Sequence, residues 1–160
     1  MSTTKGKAQQ AEETIKIRKS IVIDASPEVV FKAITDPNEL TNWFPDNAIF
    51  DGRIGGKVRF TFNKERSKEQ DECSGQNEGT VKEFIPNKRV SYTWQFKDAP
   101  EFPETTATWE LEETDSNKTR VELVNSGFTG KEEGKLSSGS HDQGWTYFLG
   151  RLKRYCEKTK

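Results

Sequence analysis

Apolar residues in this chain recur mostly at two spacings, and the spacings predict the elements. From Thr14, the residues Ile15, Ile17, Ile21 and Ile23 fall on odd positions, the period of two that a half-buried strand shows; Val22 is the exception. That run predicts a first strand over about 14–24. Ser26-Pro27 then sets a hydroxyl able to accept from a free helical N–H before a proline suited to the first helical position, and Val30, Phe31 and Ile34 follow on one face. Asp36-Pro37-Asn38-Glu39 repeats the start signal with an acidic residue three positions on. A second short helix is expected there, with Leu40, Trp43 and Phe44 at i, i+3 and i+4, ended by Pro45.

The middle of the chain alternates with period two. Ala48 to Phe50 reads as a short strand, Asp51 to Gly56 as a turn, and Lys57 to Asn63 as a strand in which Val58, Phe60 and Phe62 share a face. Residues 64–76 are charged and polar and read as a loop or frayed strand end. Strands follow over 79–85, over 90–96 with Val90, Tyr92, Trp94 and Phe96 alternating, over 105–113 with Ala107, Trp109 and Leu111, and over 119–125 with Val121 and Leu123. Pro86-Asn87, a Pro-rich link at 99–103 and the turn at 115–118 separate them. Connections this short imply one antiparallel sheet of six to seven strands. After a Gly/Ser/charge-rich stretch at 127–139, Ser140-x-x-Gln143 reads as a capping box that opens a helix over about 141–158. Its apolar face carries Trp145, Phe148, Leu149, Leu152, Tyr155 and Cys156, with Arg151, Lys153 and Arg154 toward the C-terminal end of the dipole. The order describes an α+β fold: a curved antiparallel sheet wrapped on one long closing helix, with two short helices after the first strand.

Composition sharpens that picture. The chain has 160 residues, one domain's worth, with 25 Lys+Arg against 26 Asp+Glu and a formal charge of −1. No net field favours nucleic acid or an anionic surface. Hydrophobic residues make up only 31%, yet there are 10 Phe, 4 Trp and 3 Tyr, so the core is aromatic rather than aliphatic. No stretch approaches the roughly 20 apolar residues of a membrane helix. The polar start, residues 1–13, reads as a disordered tail without secretory features, and residues 14–160 read as the one folded domain. Cys73 and Cys156 stand far apart without ligand spacing, which predicts reduced thiols in a cytoplasmic setting and neither a zinc nor a redox site.

Several phrases together resemble a known family. Ile23-Asp24-Ala25-Ser26-Pro27-Glu28-Val29-Val30-Phe31, Asp36-Pro37-Asn38-Glu39-Leu40 and Trp43-Phe44 come first, then Arg53-Ile54-Gly55-Gly56, Pro86 with Arg89-Val90-Ser91-Tyr92-Thr93-Trp94, Gly127-Phe128, and Gly144-Trp145 with Leu149, Leu152 and Lys153. Over about residues 14–158 this is similar to the START-like (SRPBCC) superfamily, and more narrowly to the homologues of the C-terminal domain of the activator of the heat-shock-protein-90 ATPase. The resemblance implies a helix-grip fold with an elongated cavity between sheet and helix. It also implies a domain that binds a small hydrophobic or amphipathic molecule there without catalysis or cofactor. A chaperone cofactor or protein-interaction module is the alternative, and a cyclase- or hydrolase-type enzyme a third.

The expected ligand-lining residues are Phe31, Trp43, Phe60, Phe62, Tyr92, Trp94, Phe96, Trp109, Asn125, Trp145, Phe148 and Leu149, which alternation and the helix face direct inward. The plain alternative is that they simply fill the core. Among polar residues, Arg59, Tyr92, Thr119 and Asn125 are the ones expected to reach a cavity wall or mouth; Asn125, two residues beyond Leu123, follows the inward period, while Arg59 alternates outward from Phe60. His141, the one histidine, lies at the expected helix start and has no nucleophile placed beside it, so no catalytic residue is expected. A lone histidine also lacks the partners a metal site needs. Gly52-x-x-Gly55-Gly56-Lys57 precedes a strand, not a helix, so it is a turn rather than a phosphate loop.

Overall fold

The computed structural model describes residues 15–62, 75–96, 104–115, 117–128 and 132–159, the side chains of Ile15 and of 132–141 excepted. The 1–13 tail, Cys73, the 99–103 link, most of the 64–76 loop and the side chain of His141 therefore lie outside the described residues.

Seven strands form one antiparallel sheet: β1 (Ile15–Ile23), β2 (Asn47–Phe50), β3 (Lys57–Phe62), β4 (Gly75–Ile85), β5 (Arg89–Phe96), β6 (Thr105–Glu113) and β7 (Thr119–Phe128). Their spatial order is β1-β7-β6-β5-β4-β3-β2, so the first and last strands of the sequence lie side by side. Two short helices, α1 (Pro27–Thr35) and α2 (Pro37–Leu40), follow β1, and a long helix, α3 (Glu132–Thr159), closes the chain. This is the helix-grip arrangement of an α+β fold.

The helix starts follow their capping chemistry. Ser26 Oγ accepts from Val29 N–H at 3.3 Å, and Asp36 Oδ1 accepts from Asn38 N–H at 2.8 Å. Val30, Phe31, Ala33 and Ile34 are the buried face of α1. The turn at 51–56 needs its glycine: a Cβ on Gly56 would lie 2.0 Å from the carbonyl oxygen of Asp51. Asn87 and Asn117, at φ 65° and 62°, take the left-handed conformation in the β4–β5 and β6–β7 turns, which asparagine tolerates.

One face of the sheet carries the core. Ile17, Ile23, Val121, Leu123, Ala107, Trp109, Val90, Tyr92, Trp94, Val81, Val58, Phe60 and Phe62 are all buried, and α3 lays Trp145, Phe148, Leu149, Leu152 and Cys156 over them. The alternation of β1 breaks at Lys19, which pairs in register with Leu123 on the inner side. Its ammonium meets Asp142 of α3 at 2.7 Å, so the break is an anchoring point for the helix.

Four boundaries differ from expectation. α2 ends at Leu40, so Trp43 and Phe44 lie in the turn beyond it instead of on the helix. β4 begins at Gly75, not 79, because Gly75, Asn77 and Gly79 carry no apolar alternation yet pair with Phe62, Phe60 and Val58 of β3. β7 runs on to Phe128, which is wholly buried. α3 begins at Glu132, so Ser140-x-x-Gln143 lies inside a helix instead of capping one. Once the packed half of a helix is formed, each residue added upstream gains a backbone hydrogen bond without a new nucleation cost.

Candidate functional site

The space between sheet and helix is filled with rings. At its centre is Phe44, just beyond α2, whose ring lies 4.8–5.9 Å from those of Trp43, Phe60, Phe62, Trp94, Trp145 and Phe148. Backbone hydrogen bonds from Trp43 and Phe44 to Leu40 hold this turn, and Trp43 Nε1 donates to Ala33 O at 2.9 Å. Trp109 meets Trp43 and Trp145 edge-on, and Tyr92 meets Phe50 and Phe60 in the same way. Edge-to-face and offset pairs add about 0.5–1.5 kcal/mol each beyond burial, so the cluster is a large part of what holds α3 on the sheet.

The structure brings together most of the residues expected at the site. Trp43, Phe60, Tyr92 and Trp109 are at most 1% exposed; Phe62, Trp94, Trp145 and Phe148 are buried around the opening between β3, β5 and α3, and Leu149 is buried on the same helix. Phe96, the last described residue of β5, is half-buried. Phe31 stands apart, edge-on to Phe84 beneath α1. Phe44 was not among the expected lining residues, although its place one residue after Trp43 on the same helical face was a usable signal.

At the open end, Phe44, Phe62, Trp94, Phe96, Gly144, Trp145 and Phe148 bound a recess of about 20 Å³. That is room for about one water molecule. These residues thus enclose far less than an elongated cavity; the rings occupy the space.

Polar groups in this interior are few. Tyr92 accepts at its hydroxyl from Trp109 Nε1 at 3.1 Å, and burial pushes its phenol well above the ordinary range, the hydrogen bond opposing only in part. Asn125 donates from Nδ2 to Thr105 Oγ1 and to Thr106 O, both at 3.1 Å, and accepts from Trp145 Nε1 at 3.0 Å. Its carboxamide fastens α3 to β6 and β7. Thr119 Oγ1 donates to Ala25 O at 2.7 Å, closing the link into α1. Arg59 faces outward, as its alternation predicts, and pairs with Glu78 at 2.8 Å. Asn77, which lies between the expected 64–76 loop and the strand expected from 79, is buried on β4 with neither Nδ2 nor Oδ1 partnered.

Burial also pushes the Cys156 thiol up to about 12, with Glu39 and Glu157 adding to the effect, so the thiolate is absent at neutral pH. Among the described residues, no group of three or more His, Cys, Asp and Glu side chains could hold a metal ion. A much larger groove, of about 840 Å³, runs past the α1 start and the β6–β7 hairpin, with walls that include Arg89, Glu110, Glu112 and Arg120. Those walls are already engaged with one another: Arg89 pairs with Glu110 and with Glu83, and Arg120 with Glu112. The aromatic recess is the better candidate despite its size, because its walls are apolar rings and the unpartnered Asn77 stands in register beside Phe96, one of those rings.

Comparison with known proteins agrees with this geometry. The fold class is helix-grip, and the chain belongs to the family described as Activator of Hsp90 ATPase homolog 1-like protein, whose model matches residues 24–157. No curated protein matches the chain. Among solved structures it is similar to protein MLL2253 from Mesorhizobium loti, at 23% identity and TM-score 0.74, covering 92% of this chain and 99% of that one. It is similar also to the Aha1 dimer from Colwellia psychrerythraea, at 25% identity and TM-score 0.71, covering 91% and 98%. DynU16, described as a putative protein in the dynemicin biosynthetic locus, matches at 26% identity and TM-score 0.67 over 91% of this chain but 48% of its own. Among the described residues, no helix is long and apolar enough to cross a membrane.

Proposed function

We propose that the chain is a non-catalytic binding domain of this family that takes a small hydrophobic or amphipathic molecule at the aromatic end of the space between sheet and helix. The observation that carries the reading is the recess itself, bounded by six aromatic rings and Gly144. Ligand sites are concave, mostly apolar and furnished with few polar groups. A space of about 20 Å³ does not admit such a molecule as it stands, so binding requires the rings at the mouth, Phe96 and Phe148, to turn outward. Catalysis is not part of the proposal: among the described residues the aromatic interior has no acid and base set against each other, and its polar groups are amides, hydroxyls and the high-pKa phenol of Tyr92.

A native mass spectrum of freshly purified protein, compared with the denatured mass, tests this directly. Extra mass released on denaturation is the expected result. A clean apo mass, together with no change in tryptophan emission when an apolar naphthalene probe is titrated in, overturns it.

The family's description supports a second reading, a chaperone cofactor acting on the Hsp90 ATPase. Its test is direct binding of the purified chaperone, and no association at tens of micromolar sinks it.

A further inference from the structure

Asn77 is the one buried side chain of the described interior whose polar atoms are left over. It is 1% exposed, and neither its Nδ2 nor its Oδ1 has a hydrogen-bond partner. Native proteins pair nearly all such groups, because a buried amide without partners forfeits its hydration. Asn125, on the same face of the same sheet, shows the ordinary solution, with both ends of its carboxamide engaged.

The position of Asn77 gives the exception a meaning. It stands in register with Phe60 on β3 and with Phe96 on β5, so it shares the face that carries the rings. Phe96 and Phe62 bound the recess, and Phe62 pairs with Gly75, two residues before Asn77. The next inward position, Gly79, admits no side chain: a Cβ there would lie 1.7 Å from the carbonyl oxygen of Thr93. Along β4, Asn77 is thus a single polar side chain between two glycines, in register beside Phe96 of the recess wall. The nearest charges on these strands, Arg59 and Glu78, pair with each other on the opposite face.

We propose that the Asn77 carboxamide is the polar anchor of the recess, and that it selects a flat apolar molecule carrying one neutral group that both donates and accepts a hydrogen bond, such as a lactam or carboxamide. The proposal rests on the reading of the recess as a ligand site. A carboxamide presents an acceptor and a donor in one plane, which a lactam complements with two hydrogen bonds. The surrounding rings suit a flat body. An ionised carboxylate fits poorly, because it would be buried where β3, β4 and β5 turn no cation inward, and Lys19, on the inner side of β1, is already paired with Asp142. Rotation of the half-buried Phe96 ring away from Asn77 joins the amide to the recess.

The test uses the whole chain and two probes of similar size, 2-quinolone, a fused lactam, and naphthalene, which lacks the polar edge. Binding of each is measured by calorimetry to the natural protein and to Asn77→Leu. The expected result is that the substitution weakens 2-quinolone roughly tenfold or more relative to its effect on naphthalene. Equal effects on two probes that both bind overturn the anchor while leaving the recess a ligand site. Failure of both probes to bind the natural protein overturns the anchor and the recess together. Should Asn77→Leu not fold, the Asn77 side-chain NH2 resonances of the natural protein decide: a shift with 2-quinolone and not with naphthalene supports the anchor. No shift assigns the amide a buried water only and overturns it.

Discussion

Two asparagines face the same aromatic interior and are used in different ways. Asn125 joins Thr105, Thr106 and Trp145, so replacing it by leucine strands the indole N–H and the strand partners. Asn125→Leu is expected to destabilise by about 2–3 kcal/mol. Asn77 joins nothing, so Asn77→Leu, which keeps the shape and removes an unpaired amide, is expected to stabilise by about 1–2 kcal/mol. Urea unfolding of the two variants checks both signs, and a destabilised Asn77→Leu would show that its amide has a partner in the folded chain. Neither role was legible in the sequence. Asn125 could be placed on the inward face by counting from Leu123, but its partner Trp145 lies on another element. Asn77 sat in a stretch whose glycines erased the alternation that marks a strand.

At the scale of elements, α3 is held near its middle and at its C-terminal end by charge as well as along its face by rings. Lys19 of β1 pairs with Asp142 near its middle, and at its end Glu157 accepts from Lys153 and, at 2.9 Å, from the backbone N–H of Asp24. The Lys153 ammonium and then the Asp24 N–H hold the Glu157 carboxyl below its ordinary 4.5. A carboxylate with a lowered folded pKa contributes stability that is complete above 4.5 and is lost as pH falls through the folded value. Natural protein is therefore expected to lose stability below pH 4.5 more steeply than Glu157→Gln, as thermal melts between pH 3 and 6 on the order of half-unit steps would show. The apolar face of α3 was legible from spacing alone. Its start was not, because the capping-box pattern at 140–143 is a local signal that helix propagation overrides.

For the whole molecule, the decisive contact is the pairing of the first strand with the last, Ile23 with Thr119 through to Ile15 with Phe128. Such pairing closes a very long loop, and the rings that reward it come from the turn after α2 and from β3, β5, β6 and α3 together. Refolding is expected to be slow, on the order of milliseconds to seconds, and to occur in one cooperative transition. Stopped-flow tryptophan emission and far-UV circular dichroism should give coincident curves; a separate early phase in either would show that α3 or part of the sheet forms alone.

The sequence by itself determined the elements and the side of each that faces inward, because strand and helix periods are local properties of the chain. It also determined the aromatic character of the core and, through ordered motifs from Ile23 to Lys153, the family. Tertiary structure alone decided that Lys19 belongs to the inner face, that Phe44 is the hub, that the rings leave room for about one water, and that one asparagine is satisfied while another is not. These depend on distances between residues far apart in the chain, and no local period encodes them.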